Sequence, residues 1–408
     1  MVIALFFWLC VFSIVYTYAG YPLLLAVLAR LKHKKLLAPP ADYAPTITLL
    51  IPAYNEQAVI AEKIQNCLDL DYPRDRMQIL VVDDGSEDRT NEIARSFVDA
   101  GIEIVCNPPR RGKMAAMNLA IPLARGEIVL FSDADCFYYR NTLRQVVIPF
   151  ADPGVGAVSG ARKIPRTDGM LSESEGLYWK YESFIKAQET RLGSCTGFAG
   201  DLLAIRRAIL ELPPDKIIND DFYMGMQVLR RGYRVVYAPQ ANSIVRVSVS
   251  AQMEMERRAR MVAGRYQALA LARQVLPLRQ PFAVWQVVSH KFLRPLVPLA
   301  MIGALLANIL ALIVPGDPNN AWVALGYPVN WIFLGLQLLF YALALVGNLL
   351  SRVRNSKLPF YLYLPTFLVN SNFAALVGLH RFLTRRQSTL WKRTPRREEA
   401  DASQVTHE

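Results

Sequence analysis

The sequence predicts an α/β domain with a mainly parallel sheet, flanked on both sides by membrane-spanning helices. Two patterns predict this architecture: short apolar runs alternate with helical patterns in the middle of the chain, and long uncharged runs lie near its two ends. The composition agrees, since 53% of the 408 residues are hydrophobic, 20% are charged and the mean hydropathy is +0.20. Such a composition excludes a disordered or fibrous chain.

The middle of the chain contains four predicted strands. They comprise residues 46–51, 77–82, 102–106 and 127–132. Three helical patterns separate the strands. The first ends near residue 68, and the other two cover residues 88–99 and 113–124. Short strands that alternate with helices are typical of a parallel sheet covered on both faces. In such sheets ligands bind beyond the carboxyl ends of the strands.

Residues 1–29 contain no charged side chain, and about 20 apolar residues suffice for a helix to cross the hydrocarbon core. Basic residues follow this run rather than precede it. The order predicts an uncleaved anchor whose C-terminal end lies in the cytoplasm. The alternative is a buried core helix, which is disfavoured because no side chain in the run is polar enough to face water.

Three more uncharged runs, 295–316, 318–351 and 358–379, lie near the other end of the chain. The first two predict a hairpin of two crossings that returns to the cytoplasm. The third contains Pro365 and the sequence Asn-Ser-Asn, and a full crossing would put a basic tail outside. We therefore predict that 358–379 is a re-entrant or interfacial element. The alternative is a span whose polar residues line a polymer channel.

These segments predict six parts of the chain. They are an N-terminal transmembrane helix (1–30), a basic proline-rich linker (31–45), a cytoplasmic domain (46–280), an amphipathic interface helix (281–294), a C-terminal membrane region (295–380) and a basic cytoplasmic tail (381–408).

Charge and cysteine usage exclude several classes of protein. The 46 basic residues exceed the 34 acidic ones, which gives a net charge of +12, but they cluster beside membrane segments. Positive-inside topology and anionic lipid account for that clustering, so no nucleic-acid partner is predicted. The five scattered cysteines predict no disulfide framework, and the four distant histidines predict no histidine-based zinc site.

Acidic residues follow three of the four predicted strands, in the sequences PAYNE, DDGSED and DADC. Carboxylates at one edge of a sheet repel each other unless a cation lies between them. Asp133 and Asp135 flank a small residue, and hard cations such as Mg²⁺ or Mn²⁺ choose one or two carboxylates completed by phosphate oxygens. The spacing indicates a metal site; the alternative is a solvated turn.

Six motifs in this order and spacing resemble a family 2 glycosyltransferase: LLIPAYNEQAVI, VVDDGSEDRT, RRGKMAAMNLAI, GEIVLFSDADC, NDDFYMGMQVLRRGYRV and ERRARMVAG. With membrane helices on both sides, the chain resembles the membrane-embedded branch that includes cellulose, hyaluronan and poly-N-acetylglucosamine synthases. The resemblance implies a nucleotide-diphospho-sugar transferase domain of the type-A glycosyltransferase fold.

The resemblance also implies donor-binding residues. Tyr54 would lie against the nucleobase and Asp84 would accept its N–H, with Glu56 and Asp83 supporting the pocket. Lys113 would lie close to the donor. The alternatives are a rim residue packed on the linker for Tyr54, an N-cap of the helix near residue 88 for Asp84, and a solvated helix face for Arg110 and Arg111.

By the same resemblance, Asp135 is the direct metal ligand, and Asp133 reaches the metal or the ribose. Asp221 lies eleven residues before Gly232, the interval expected for the catalytic base, and Asp220 supports it. An inverting transferase needs one carboxylate to take the acceptor proton. The alternative for the pair is an N-cap, which is compatible with catalysis.

The last motif departs from the processive synthases, which carry Gln-x-x-Arg-Trp. Here Arg257, Arg260 and Met261 stand at those positions. Arg260 therefore still resembles the diphosphate-binding arginine, with Arg257 or Arg258 adding to it. The alternative is a basic helix face against anionic lipid.

The loop SCTGFAGDLLAIRR resembles an acceptor loop, in which Thr196, Gly197 and Gly200 let a sugar approach the backbone. The resemblance implies an inverting, metal-dependent transferase of a bacterial inner membrane, which uses a nucleotide sugar, UDP-linked by the same resemblance, to extend a surface polysaccharide. Two rivals are single addition to a lipid-linked acceptor and a membrane sugar sensor or transporter. The expected partners are the donor, a glycan or lipid-linked acceptor, and membrane lipid.

Overall fold

The computed structural model describes residues 1–163, 169–245, 251–314, 316–353 and 358–387. Most of the predicted tail 381–408 lies outside these ranges. The chain divides into two units. The membrane unit comprises Met1–Ala26, Met255–Tyr266 and Val288–Arg386, and the sheet unit comprises Val27–Glu254 and Gln267–Val287.

The sheet unit is built on eight strands in the described residues. They are β1 (Ile47–Ala53), β2 (Met77–Asp83), β3 (Ile102–Cys106), β4 (Ile128–Phe131), β5 (Cys136–Tyr138), β6 (Val155–Lys163), β7 (Leu203–Arg206) and β8 (Arg234–Val245). Their order in the sheet is β3-β2-β1-β4-β7-β6-β8-β5. Strands β1 to β4 pair with one another in parallel, as β6 does with β8. Strand β7 pairs antiparallel with β4 and β6, and β5 pairs antiparallel with β8. The prediction of a mainly parallel sheet is confirmed.

β1, β2 and β4 are buried along their whole length. Such burial indicates a sheet that is covered on both faces. The longer helices of the sheet unit are Ile60–Leu68, Thr90–Arg95, Lys113–Ala120, Thr142–Val147, Gly169–Leu192 and Asp220–Arg230. Helix Ile60–Leu68 buries Ile60, Ile64 and Cys67 against the sheet, at the spacing of one helical face. The four predicted strands and the helices between them are present, with ends shifted by a few residues.

The membrane unit contains apolar helices. Four helices among the described residues are long and apolar enough to cross a membrane, namely Val2–Leu31, Pro281–Ile313, Val329–Ser351 and Phe360–Leu383. Aromatic rings and small residues pack between these helices. The ring centroids of Phe7 and Phe333 lie 5.4 Å apart, edge to face. Gly303 packs against Cys10, because a Cβ added to Gly303 would lie 3.1 Å from the Cys10 sulfur. Close approach at small residues is how helices associate in lipid.

The polar residues of helix Phe360–Leu383 bond to neighbouring helices of the membrane unit. Asn370 and Asn348 exchange two hydrogen bonds, of 2.8 and 3.1 Å. The side-chain amide of Asn372 donates to the Tyr18 hydroxyl at 3.0 Å, and Arg258 donates to Ser371 at 2.9 Å. One reason for predicting a re-entrant element, the cost of unpaired polar groups in hydrocarbon, is therefore removed. The charge argument stays, so the position of 358–379 remains a prediction.

The structure divides the predicted domain 46–280. Residues 255–266, in the middle of the helix Ala251–Ala270, group with the membrane unit. The reason is packing, because Val262 and Tyr266 form an apolar cluster with Ala375. The predicted interface segment 281–294 forms the helix Pro281–Val287 and a following π-helical turn, Val288–Phe292, in which His290 and Lys291 are buried. Its location in the headgroup layer stays a prediction.

Candidate functional site

The carboxyl ends of the parallel strands meet at one edge of the sheet. Ala53 at the end of β1 is in register with Asp83 at the end of β2, which is in register with Cys106 of β3. The acidic turn, residues 132–136, connects β4 to β5 beside them. The strand register therefore places the acidic strand ends together at one edge, as expected.

Carboxylates from two parts of the chain meet at Lys113, the first residue of the helix Lys113–Ala120. Its ammonium lies 2.6 Å from Asp133 Oδ1 in the acidic turn and 3.5 Å from Asp220 Oδ2 at the start of the helix Asp220–Arg230. All three side chains are 18–19% exposed. The sequence predicted these residues for one site, and the fold brings them together from positions about a hundred residues apart.

The neighbouring carboxylates hold Lys113 in its charged form. Burial alone would lower the pKa of Lys113, but the carboxylates of Asp133, Asp220 and Asp221 outweigh burial and raise it above its usual range. The ammonium therefore stays charged at neutral pH and screens the carboxylates from one another. A partly buried cation at this edge is also suited to an anionic ligand.

Asp221 lies against the loop that precedes β7. A Cβ placed on Gly200 would approach Asp221 Cβ to 3.3 Å and Asp221 Oδ2 to 3.5 Å. The glycine therefore leaves room for this carboxylate, whereas the sequence predicted that it leaves room for a sugar. Asp220 and Asp221 also occupy the first helical turn, where the helix dipole stabilises negative charge.

Asp83 and Asp84 are buried and bonded within the protein. Asp83 accepts bonds from the backbone N–H of Ser86 at 3.0 Å and from the Asn91 amide at 3.0 Å. Asp84 accepts from the Asn107 amide and from the backbone N–H groups of Arg111 and Gly112, at 3.0, 3.1 and 2.7 Å. Three of its roughly four acceptor positions are thereby used.

The alternative reading of Asp84 as an N-cap of the helix near residue 88 is wrong. The backbone N–H of Thr90 donates instead to Asp88, at 2.9 Å. Asp84 serves another helix, because Gly112 directly precedes the helix Lys113–Ala120. The anion at that helix N-terminus is thus the Asp84 carboxylate.

Tyr54 packs against an arginine. The Arg110 guanidinium lies 3.6 Å from the centroid of the Tyr54 ring, which is a close cation–π contact. Glu56 is buried, and its backbone N–H donates to Thr90 at 2.7 Å. The predicted contacts of Tyr54 and Glu56 with a donor stay predictions.

Thr196, which the sequence places in the acceptor loop, is bonded to a neighbouring helix. Its side chain is fully buried, and its hydroxyl and backbone N–H both donate to Glu189. Thr196 therefore anchors the loop to the helix Gly169–Leu192, and approach of a sugar to this loop stays a prediction. Gly197 is also buried, and Gly200 is half-buried.

The predicted diphosphate-binding arginines belong to the membrane unit. Arg257 and Arg260 are half-buried on the helix Ala251–Ala270, and Arg257 Nη1 lies 3.6 Å from Met261 Sδ. Arg258 donates to Ser371 and lies over the Phe367 ring, which fixes it inside that unit. A role for Arg257 or Arg260 at a diphosphate stays a prediction.

Sequence reasoning missed a buried ion pair beneath the acidic turn. Arg162 Nη2 lies 2.6 Å from Asp201 Oδ1, and the Ser243 hydroxyl donates to Asp201 Oδ2 at 2.6 Å. Burial raises the pKa of Asp201, but Arg162 and Ser243 outweigh burial and hold this pKa well below its usual range. No spacing rule links these residues, which come from β6, the loop before β7, and β8.

Comparison with known proteins decides the family. Residues 48–212 match the family model described as Glycosyl transferase family 2. The chain carries a family 2 glycosyltransferase domain. The predicted family is confirmed, and so is the type-A glycosyltransferase fold. Asp220 and Asp221 lie beyond the matched range, so their assignment depends on the geometry around Lys113 and Gly200.

The chain is similar to several known proteins. The solved mannosyltransferase PcManGT from Pyrobaculum calidifontis, in complex with GDP-Man and Mn2+, is 26% identical with a TM-score of 0.68, over 92% of this chain and 99% of that one. Glycosyltransferase AglE of Haloferax volcanii is 31% identical over 48% of this chain and 64% of its own length. Poly-beta-1,6-N-acetyl-D-glucosamine synthase of Staphylococcus aureus (strain COL) is 27% identical over 49% of this chain and 50% of its own length. The chain thus spans about half to two thirds of these two curated relatives.

Proposed function

We propose that the protein is an inverting, divalent-metal-dependent glycosyltransferase that moves a sugar from a nucleotide sugar to an acceptor hydroxyl. One observation carries the proposal: Asp133 and Asp220 converge on Lys113 at the carboxyl edge of the sheet, and Asp221 lies beside them against Gly200. This arrangement supplies a cationic group for a diphosphate and a separate carboxylate for a proton.

The residues have distinct tasks in this reaction. Asp221 takes the proton from the acceptor hydroxyl as the hydroxyl oxygen attacks the anomeric carbon, and Asp220 lies beside it in an ion pair with Lys113. Lys113 attracts the donor diphosphate and stabilises the charge that the departing nucleoside diphosphate gains. No second acid is needed, because the diphosphate leaves as an anion.

The acidic turn fits a divalent cation. Among the described residues no group of three or more metal-binding side chains is assembled. Two carboxylates, Asp133 and Asp135, are the donor set that Mg²⁺ or Mn²⁺ uses when phosphate oxygens complete its shell. Asp135 would hold the cation, with Asp133 shared between cation and Lys113, and the cation would supply Lewis-acid stabilisation of the diphosphate. The Mn2+ in the similar mannosyltransferase supports this assignment.

The donor is proposed as a nucleotide sugar and the acceptor as a class of molecule. The sequence motifs favour a UDP-linked donor, while the likeness to a mannosyltransferase solved with GDP-Man favours a GDP-linked one. We propose a growing surface polysaccharide as acceptor, a reading that the similarity to a poly-N-acetylglucosamine synthase supports. The second candidate is single addition to a lipid-linked acceptor.

The test is transfer by the purified full-length protein in detergent or lipid. It is incubated with radiolabelled UDP- and GDP-sugars, with Mn²⁺, Mg²⁺ or excess chelator. The expected result is cation-dependent release of one nucleoside diphosphate, stopped by chelation and restored by added metal. Full activity in excess chelator would contradict the metal assignment, and absence of turnover with every donor would contradict the function. Retention of long product distinguishes polymer synthesis from single addition.

We further propose that the protein lies in a bacterial inner membrane with its glycosyltransferase domain in the cytoplasm. The four candidate spans and the basic residues after residue 29 support this orientation. A cysteine at position 388, in a variant lacking the five native cysteines, is treated in intact cells with an impermeant thiol reagent. Protection until the cells are opened is expected. Labelling from outside would contradict a cytoplasmic tail and favour a fourth full span.

A further inference from the structure

A buried lysine lies behind the acidic turn. Lys63 is on the helix Ile60–Leu68, and its side chain is completely buried. None of the ion pairs formed within the described ranges includes it. The mechanism above assigns it no task, and its position on the apolar face of the helix would ordinarily belong to an aliphatic side chain.

The ammonium of Lys63 bonds to both ends of the acidic turn. It donates to the Ser132 hydroxyl at 2.7 Å and to the carbonyl oxygen of Cys136. The Tyr138 ring, with its centroid 4.2 Å away, covers the remaining side. Ser132 and Cys136 are the residues immediately before and after the segment that contains Asp133 and Asp135.

Backbone hydrogen bonds also tie the turn to β1 and to itself. The backbone N–H of Ser132 donates to Leu50 of β1 at 3.1 Å, and that of Cys136 donates to Asp133 at 3.2 Å. Lys63 adds a further support, on the side facing the core. Because one ammonium joins the two ends, it fixes the separation of Ser132 and Cys136 and therefore the shape of the loop between them.

Burying an ammonium has a large desolvation cost, so the groups that offset it indicate what the lysine does. Here the offsetting groups are the hydroxyl and carbonyl of the acidic turn and the face of Tyr138. A methionine would fill the same space without that cost. The charge therefore serves the turn rather than the packing of the core.

We propose that Lys63 is a positioning residue that holds residues 132–136 in the shape in which Asp133 and Asp135 accept the cation and the donor diphosphate. The role rests on the proposed function. Lys63 contacts neither ligand, since it is buried behind the turn. Its removal should weaken binding through geometry, and misplacement of ligating groups by about 1 Å can cost on the order of 10²-fold.

The test compares two buried lysines of the same domain. Lys63→Met removes the ammonium and keeps the length of the side chain. Lys186→Met is the matched control, because Lys186 is 2% exposed and lies over the Tyr237 ring at 4.5 Å. Mn²⁺ binding in the presence of UDP or GDP is followed by the electron paramagnetic resonance of free Mn²⁺, together with the melting temperature and the kinetic constants.

For Lys63→Met we expect roughly 10-fold weaker Mn²⁺ binding and a similar rise of KM for the donor, with kcat at saturating ligands changed less than about 3-fold. Lys186→Met should leave Mn²⁺ binding unchanged, even if its melting temperature falls. Ser132→Ala removes one of the two bonds to the turn, so it should weaken Mn²⁺ binding by less, and its effect should largely vanish in the Lys63→Met background.

Unchanged or tighter Mn²⁺ binding by folded Lys63→Met would overturn the proposal, and so would equal weakening in Lys186→Met. If Lys63→Met does not fold, Ser132→Ala decides: weaker Mn²⁺ binding supports the role, and wild-type binding overturns it. A wild-type protein that binds no Mn²⁺ with either nucleotide would instead contradict the proposed function, which separates that failure from failure of Lys63 alone.

Discussion

Two pairs of adjacent aspartates lie at the same edge of the sheet and differ in what surrounds them. Asp83 and Asp84 lie at the end of β2, are 5% and 3% exposed, and accept five hydrogen bonds from neighbouring loops and a helix. Asp220 and Asp221 begin a helix, are half-buried, and face Lys113 and Gly200. The first pair accepts hydrogen bonds from N–H groups only, whereas in the second pair Asp220 forms an ion pair with Lys113 and Asp221 accepts the backbone N–H of Phe222 at 2.7 Å.

The difference shows that an acidic motif does not by itself distinguish a carboxylate that builds a site from one that performs chemistry. Asp84 gives the loop before Lys113 its shape, and through that loop it sets where the Lys113 ammonium lies. Substitutions in the two pairs should therefore differ in kind. Changes at Asp221 should affect turnover, and changes at Asp84 should affect folding of the loop.

The largest effect is expected for Asp221→Asn. Loss of a general base should lower kcat by about 10²–10⁴, while the affinity for nucleoside diphosphate stays nearly unchanged because the base acts on the acceptor. Transfer of radiolabelled sugar and calorimetric binding of UDP and GDP with Mn²⁺ measure the two quantities. Asp99→Asn, at an exposed carboxylate of the same domain, is the control. Near wild-type turnover in Asp221→Asn would disprove the assignment.

The second effect separates the metal ligand from the base. Asp135→Ala should lose donor binding and transfer together, by about 10²-fold or more, because the cation joins the protein to the diphosphate. Glu87→Gln, at an exposed carboxylate of the neighbouring loop, should change neither. Binding of the nucleotide with Mn²⁺ is again the measurement. Normal nucleotide binding with lost turnover would instead place Asp135 on the side of the acceptor.

The sequence predicted the strands of the first half of the sheet because each is a short apolar run that ends at a polar turn. It also predicted Lys113, Asp133 and Asp220 as members of one site, since all three stand in motifs of recognisable spacing. It could not predict that Thr196 is buried, because a threonine beside glycines reads equally well as an anchor or a contact. Nor did spacing reveal the pair of Arg162 and Asp201, whose partners meet only through the tertiary fold.

Lys63 illustrates a signal that was present in the sequence but indistinct. Ile60, Ile64 and Cys67 mark the buried face of their helix, and Lys63 falls on that face. A charged residue at such a position needs a buried partner, so it indicates a polar neighbour without naming it. The partner is the acidic turn about seventy residues later, which no local pattern connects to the helix.

The third prediction concerns the buried ion pair beneath the acidic turn. Asp201→Asn should lower the free energy of unfolding by about 3–5 kcal/mol at pH 7, because Arg162 would be left buried without its counter-charge. The pKa of Asp201 is lowered, so its contribution is full above about pH 4 and is lost as the pH falls further. The gap in melting temperature between wild type and variant should therefore narrow in acid. A gap that widens below pH 4 would contradict this assignment.

The smallest effect is expected for Asp84→Asn, and it tests the comparison most directly. The amide keeps one acceptor oxygen but presents N–H groups to the Asn107 amide or to the backbone N–H groups of Arg111 and Gly112. An unsatisfied buried donor costs about 1–3 kcal/mol, so the melting temperature should fall by several degrees. The turnover of the folded variant should remain within about 10-fold of wild type. Any loss of affinity should be the same for UDP, GDP and ADP, because it arises from the altered loop and not from a lost contact with the nucleobase.

If Asp84 instead accepts the N–H of a nucleobase, the variant should melt normally and lose affinity for one nucleotide only. Measuring melting temperature and the three affinities on one preparation therefore decides whether the first aspartate pair builds the site or reads the donor.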